Sequence, residues 1–207
     1  MVKSKSLVEG IGNVLTTKKY YDDWSDQYDF ILNQWHYKVP KKSINLLKKK
    51  LKTPPKYTLD LACGTGLFGE ELTKVYKKTQ LFGSDISKKS LLIAKEKNIY
   101  QNLIKKNFES RHRFNIKFDL VSMIGSMTYC KNFDKLFSNV KFALCKKGYF
   151  IFSHRIDLWK KQNFDKILLG ISKDFKTRFI SRPLLYLPLN KDFKNKIKIR
   201  LVLLQKY

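Results

Sequence analysis

The segment Thr58-Leu59-Asp60-Leu61-Ala62-Cys63-Gly64-Thr65-Gly66-Leu67-Phe68-Gly69 sets one carboxylate inside an apolar run and follows it with glycines. Leu59, Leu61 and Ala62 around Asp60 read as a buried strand, and Leu67 to Tyr76 reads as a helix. Gly64 and Gly66 turn the chain between them. A strand, a glycine turn and a helix N-terminus make a nucleotide-binding corner. The glycines let backbone approach a ligand closely, and free N–H groups point at it. Gly64, Gly66 and Gly69 also spell G-x-G-x-x-G, which leaves a dinucleotide formally open. Asp60 argues against that ligand: a pyrophosphate is anionic and gains nothing from a nearby carboxylate, whereas a cationic ligand gains from it.

A second acid stands at the matching distance. Leu81-Phe82-Gly83-Ser84-Asp85-Ile86-Ser87 reads as a strand ending in Asp85, 21 residues after Gly64. A ribose-binding acid is expected about 20 residues on. A carboxylate there can accept from both ribose hydroxyls. Ser87 is a suitable N-cap for a helix over Lys88 to Lys97.

The elements that position these residues alternate strand and helix, which argues a mostly parallel sheet covered on both faces. Strands are expected near 57–62, 80–85, 102–107, 118–124 and 149–153. A helix over Asn132 to Leu144 is expected to stop at Lys146-Lys147-Gly148. The stretches 179–187 and 197–205 read as two strands with no helix between them, an antiparallel pair at the sheet edge. Ahead of the first strand, Lys18 to Leu32 and Lys41 to Leu51 look helical, and Pro54-Pro55 separates them from the sheet. Tyr20, Tyr21, Trp24, Tyr28 and Phe30 crowd the first helix, as suits a lid over a pocket.

Composition bounds the partners. A 207-residue chain with 43% hydrophobic residues suits one domain with a sizeable core. Met1 to Gly10 is polar and no apolar run nears the ~18 residues of a membrane span, so a cytoplasmic location without membrane association is expected. Cys63, Cys130 and Cys145 are scattered, consistent with reduced thiols and no metal site. The formal net charge is +26, yet only 6 of 43 basic residues are arginine, the better reader of phosphates. The lysines spread along the chain. We read them chiefly as solvated faces, with nucleic acid as the lesser alternative.

The first segment resembles motif I of the class I S-adenosylmethionine (SAM) methyltransferases, Asp/Glu-x-Gly-x-Gly-x-Gly, with Ala62 at the first glycine. The lid sequence Tyr21-Asp22-Asp23-Trp24-Ser25-Asp26-Gln27-Tyr28-Asp29, then Trp35-His36-Tyr37, is more distinctive. It looks like a group related to the Williams–Beuren syndrome-associated methyltransferase-like protein. His154-Arg155-Ile156-Asp157-Leu158-Trp159 and Arg182-Pro183-Leu184-Leu185-Tyr186-Leu187-Pro188 resemble that group as well. The resemblance implies a Rossmann-like α/β fold with a seven-stranded, mostly parallel sheet of order 3-2-1-4-5-7-6. It implies one domain over 1–207, with 1–55 as a helical lid and 56–207 as the catalytic core. SAM is the implied cofactor. Trp24 and Tyr28 would close over its methionine end, and Asp60, Ala62, Cys63, Gly64 and Gly66 would form the corner. Asp85 would hold the ribose and Ile86 would pack on adenine. Asn107-Phe108 stands where the family has an acid facing the adenine amino group; the Asn107 carbonyl can still accept that N–H. Met123 to Met127 ends the fourth strand, where the family places backbone beside the methyl donor, Met123 first.

Methyl transfer from a sulfonium is an in-line displacement that asks the protein mainly to position and to exclude water. A base is needed only for a hydroxyl or phenol acceptor. His154, after the fifth strand, is the candidate base. His36, Tyr37 and Tyr129 are candidates for substrate contact, and His112 between two arginines reads as solvated loop. After the fourth strand the chain reads Ile124-Gly125-Ser126-Met127-Thr128-Tyr129, without the proline motif that grips a flipped base. A small-molecule acceptor is therefore expected. An RNA-directed enzyme and a non-catalytic SAM-binding protein are the alternatives. The sequence leaves the oligomeric state open.

Overall fold

The computed structural model describes residues 13–193 and 196–207. Within them lie eight strands: β1 (Tyr57–Leu61), β2 (Gln80–Asp85), β3 (Tyr100–Lys105), β4 (Phe118–Met123), β5 (Leu144–Arg155), β6 (Phe175–Ile180), β7 (Leu184–Leu185) and β8 (Lys198–Lys206). The helices are α1 (Val14–Gln34), α2 (Val39–Lys50), α3 (Leu67–Val75), α4 (Lys88–Glu96), α5 (Phe133–Ala143), α6 (Ile156–Lys161) and α7 (Phe164–Gly170). A short 3-10 turn covers Met127–Tyr129. The strands form one sheet of order β3-β2-β1-β4-β5-β8-β6, with β7 pairing to β8. Pairs among the first five strands are parallel, and β8 runs antiparallel to β5 and β6.

The expected order holds with one strand more than anticipated. The single strand expected over 179–187 is divided into β6 and the two-residue β7. Pro183 causes the break: it has no N–H to donate and it restricts Arg182 before it. Ser181 sits at the bend, where its Oγ accepts the Leu201 N–H at 2.9 Å. A second difference concerns Lys146-Lys147-Gly148, expected as a helix stop. Helix α5 ends at Ala143, and β5 begins at once, so these residues lie inside the strand. Lys147 has φ +63° there, and the β4–β5 register shifts between Phe118 and Leu120. The positive φ and the shifted register mark a bulge.

Parallel strands are buried on both faces, so their sequences read as continuous apolar runs. Because side chains alternate along a strand, Phe150 and Phe152 of β5 join one core while Ile151 joins the other. Helix α5 covers the first face with Leu136, Phe137 and Val140. Helices α2 and α3 cover the second with Ile44, Leu47, Phe68 and Leu72. A third, smaller core belongs to α1: Tyr20, Trp24, Ile31, Leu32 and Trp35 pack with Leu187 and Phe193. The lid helix is thus anchored to the segment between β7 and β8. Its start is fixed by Asn13, whose side chain accepts the Thr16 N–H at 2.9 Å. The three cysteines are free thiols. No described helix is long and apolar enough to cross a membrane.

Gly69, third in the glycine series, has a packing role. A Cβ there would lie 2.5 Å from the Tyr100 Oη and 2.9 Å from Leu81 Cδ2. The Tyr100 hydroxyl occupies that space because it donates to Asp60 at 3.0 Å. Gly69→Ala therefore sets helix propensity against overpacking, and overpacking costs more, about 1–3 kcal/mol. We expect a melting temperature lower by a few degrees; an unchanged or higher value would refute this role.

Candidate functional site

The loop after β1 carries the unusual backbone. Ala62, Gly64 and Gly66 have φ of +52°, +54° and +94°. Glycine adopts this region freely, whereas an alanine pays about 1–2 kcal/mol. Ala62 thus keeps the conformation of the glycine it replaces in motif I, under strain. Asp85, at the end of β2, holds the loop in place. Its Oδ2 accepts the Gly64 N–H at 2.9 Å, and its Oδ1 accepts the Ser87 N–H at 2.8 Å. Ser87 in turn caps α4 by accepting the Ser90 N–H at 3.0 Å, and donates to Asp22 of α1 at 2.6 Å.

Asp60 is 1% exposed within β1. The Ser122 hydroxyl donates to it at 2.7 Å and the Tyr100 hydroxyl at 3.0 Å. Burial outweighs these two bonds and pushes its carboxyl up to about 7, with the Asp85 charge adding to the rise. Asp85 is raised too, by burial first, against the pull of its backbone N–H partners. Two buried carboxylates that resist ionisation share this corner, and a cation placed between them relieves both.

A cleft of ≈ 880 Å³, open solvent included, runs across the C-terminal ends of β1, β2 and β4. Its floor includes Ala62, Gly64, Asp85, Ile86, Asn107, Phe108 and Ile124 to Ser126. Val14, Thr17, Tyr21 and Tyr28 of α1 cover it, and Tyr129 closes one side. A smaller cleft of ≈ 360 Å³ reaches Asp60, Cys63 and Tyr37. Tyr28, Ala62, Gly64, Thr65 and Ile124 line both, so the two are continuous. The mixed apolar and polar lining, with a carboxylate at the end of β2, suits a nucleoside.

The structure brings together most residues singled out from the sequence. Tyr28, Ala62, Gly64, Asp85, Ile86, Asn107, Phe108 and Tyr129 line the main cleft, and Asp60, Cys63 and Tyr37 line its extension. Others lie elsewhere. Gly66 turns toward Tyr100, 3.1 Å from where its Cβ would be. Trp24 is buried behind Tyr28, ring centroids 4.7 Å apart, and supports the lid from within. Met123 is wholly buried in the sheet core. His36 is exposed just past α1. His154, the candidate base, is only 1% exposed and packs among Phe133, Trp159 and Phe164. Its Nε2 meets the Gln162 Oε1 at 3.0 Å, and burial lowers its pKa to about 4. It is a neutral core histidine. Likewise His112, expected in solvated loop, is buried against Phe114 with Nε2 2.9 Å from Ser84 Oγ. The Asn107 Oδ1, expected to face a ligand, accepts the Glu109 N–H at 2.8 Å and caps its own turn.

The sequence reading missed Thr17, Lys106 and Glu109 as cleft residues. Val14, Thr17, Tyr21 and Tyr28 fall on one helical stripe, a spacing that could have singled them out. Three polar clasps hold α1 over the cleft. Tyr21 and Tyr129 share a hydroxyl–hydroxyl bond of 2.7 Å. Asp22 accepts from Ser87, and Asp29 accepts from Thr65. Lys97 joins Asp29 at 2.7 Å to Glu70 at 2.6 Å.

The strand order, the glycine loop and the acid closing β2 define a Rossmann-like fold of the methyltransferase class. Residues 59–150 match a family model described as a methyltransferase domain. A SAM-dependent methyltransferase from Clostridium acetobutylicum shares the fold with TM-score 0.67 and 17% identity, over 90% of this chain and 99% of that one. The plantazolicin methyltransferase BpumL, in complex with SAH, gives TM-score 0.64 and 16% identity over 91% and 88%. The N-methyltransferase NodS from Bradyrhizobium japonicum gives 0.63 and 12% over 84% and 97%. At these identities the likeness is one of fold. No curated protein sequence matches the chain significantly.

The Asp60 shift has a pH consequence. Unfolded, the group titrates near ~4; folded, it titrates at about 7. Between those values the native state holds the proton more tightly, so its contribution to stability is lost as pH rises through the window. Against Asp60→Asn, the wild type should lose on the order of 3 kcal/mol between pH 4 and 8. Denaturant titrations of both proteins would show it; a constant difference across pH would contradict the buried-acid account.

Proposed function

We propose that the chain is a SAM-dependent methyltransferase acting on a small-molecule acceptor in the cytoplasm. One observation carries the reading: two buried carboxylates, Asp60 and Asp85, flank a left-handed glycine loop at the mouth of the cleft. In this reading, Asp85 uses its remaining lone pairs on the ribose hydroxyls. Ile86 and Phe108 pack on the adenine. Asp60 faces the cationic amino-acid end across Cys63 and Gly64, and Tyr28 closes over it from α1. Bound SAM supplies a methyl group already activated on a sulfonium. The protein's own work is to bind, to orient and to exclude water, which the α1 lid performs. His154 takes no part.

The lid and the Asp157-Leu158-Trp159 segment support a place near the Williams–Beuren-associated group. We read residues 1–55 as lid and 56–207 as core of one domain. The +26 charge favours the second reading, an RNA acceptor. One assay separates the two: methyl-labelled SAM is incubated with a cell extract, which is then split into small-molecule, lipid, RNA, DNA and protein fractions. Label in the small-molecule fraction is the expected result. Label confined to RNA would replace the acceptor class. Asp85→Ala should weaken SAH by about 100-fold in a calorimetric titration, roughly 2.7 kcal/mol. Unchanged affinity would displace the ribose from Asp85.

A further inference from the structure

We infer that the methyl acceptor is an uncharged amine nitrogen, seated at the end of β4 between Ser126 and the paired hydroxyls of Tyr21 and Tyr129. This rests on the SAM reading above. Ile124 and Tyr28 line both the main cleft and its extension. With the nucleoside part in the main cleft and the amino-acid part in its extension, the sulfur would lie near the residues that the two share, Ile124 and Tyr28 among them. Gly125 and Ser126 continue directly from Ile124. The Gly125 N–H donates to Ser153 Oγ at 2.7 Å, which fixes the turn.

Ser126 supplies the pointer to a ligand. It is 8% exposed, it lines the cleft, and its Oγ has no hydrogen-bond partner among the described residues. A buried hydroxyl left unpaired is costly, and a ligand group completes it. Beside it, Tyr21 and Tyr129 spend one O–H on their mutual bond of 2.7 Å. The second O–H and the spare lone pairs remain for a ligand. An amine can donate its N–H groups to these oxygens and still present its lone pair to the methyl carbon.

An alcohol would need a base at the moment of attack. Burial raises the hydroxyls of Tyr21, Tyr28, Tyr37, Tyr129 and Tyr186, so they keep their protons. His154 is sealed in the core. Of the Glu109 carboxylate, Oε1 accepts the N–H groups of Lys131 and Asn132 at 2.6 and 3.0 Å, and Asp60 is closed beneath the Ser122 and Tyr100 hydroxyls. A neutral amine needs none of them. Its lone pair forms the N–C bond, the C–S bond breaks with its electrons left on sulfur, and the ammonium product releases a proton to water. The edge-to-face rings of Tyr21, Tyr28 and Tyr129 offer π surface to that cation. The nearby Arg155 charge is matched by Asp157 at 2.6 Å.

The test locates the transferred methyl. Small-molecule product made from methyl-labelled SAM is heated in hydriodic acid, which strips O-methyl groups as volatile methyl iodide, and a parallel sample is passed over a cation exchanger. Label that survives the acid and binds the exchanger is expected. Volatile label, or surviving label in a neutral product, overturns the inference and leaves the methyltransferase reading intact. No label in any fraction overturns both. Ser126→Ala should raise KM for the labelled acceptor about ten-fold, the worth of one buried hydrogen bond, while calorimetry finds the SAH Kd within about two-fold. An unchanged KM, or an equal loss of SAH affinity, removes Ser126 from the acceptor.

Discussion

The carboxylate of Asp85 ties the glycine loop to the start of α4. One oxygen holds the Gly64 N–H of the loop after β1, and the other holds the Ser87 N–H at the start of α4. Ser87 then passes the connection to Asp22 in the lid. The order of causes is plain. The parallel pairing of β1 and β2 sets Leu61 against Ser84, so the loop and Asp85 emerge side by side. The glycines then let the loop curl close enough for the carboxylate to reach a backbone N–H. Backbone bonds from the Cys63 N–H to Ser84 at 3.0 Å and from the Gly66 N–H to Cys63 at 2.9 Å hold the rest of the loop.

A carboxylate placed there is expensive, and Asp60 doubles the expense. Both acids are buried, and each raises the proton affinity of the site. Ser122 and Tyr100 offset part of the cost at Asp60, and Tyr100 reaches it only because Gly69 leaves room. A fold selected for stability alone would not keep two such groups on neighbouring strands. A ligand that brings positive charge turns the same arrangement favourable. The strain at Ala62 belongs to the same pattern, with stability given up where backbone must approach a ligand.

The parts of this arrangement legible in the sequence were those with local signals. The corner from Asp60 to Gly66, the acid at Asp85 and the Ser87 cap lie within short runs whose residue types and spacing suit little besides a ligand corner. Alternation of strand and helix pointed to the parallel sheet, and the resemblance to class I methyltransferases to its strand order. What failed to show was set by long-range packing. His154 follows a strand on the edge where ligands collect, and only the aromatic wall of Phe133, Trp159 and Phe164 reveals that it faces inward. Asn107 lines the cleft as expected, and the bond of its Oδ1 to the Glu109 N–H, which caps its own turn, is set by the loop and not by residue type. Ser126 looks like any loop serine until its unpaired hydroxyl is seen against the cleft. The split of β6 and β7 was signalled by Pro183, which the apolar residues around it outweighed.

The lid shows how a strongly basic chain uses its few acids. Of 17 acidic residues against 43 basic ones, Asp22 and Asp29 both stand on α1 and both face the core. Asp29 meets Thr65 in the glycine loop and Lys97 beyond α4, and Lys97 also meets Glu70 of α3. In a chain whose lysines repel one another, an acid on the lid is drawn toward almost any surface below it, so charge alone favours closure. The serine and threonine hydroxyls select the one closed position, because they hold α1 to the two segments that Asp85 has already joined. Half-exposed ion pairs are worth little each and weaken with salt. The apolar anchor of α1 on Leu187 and Phe193 does not. The helix is therefore fixed at the β7–β8 side by packing and held over the cleft by polar contacts.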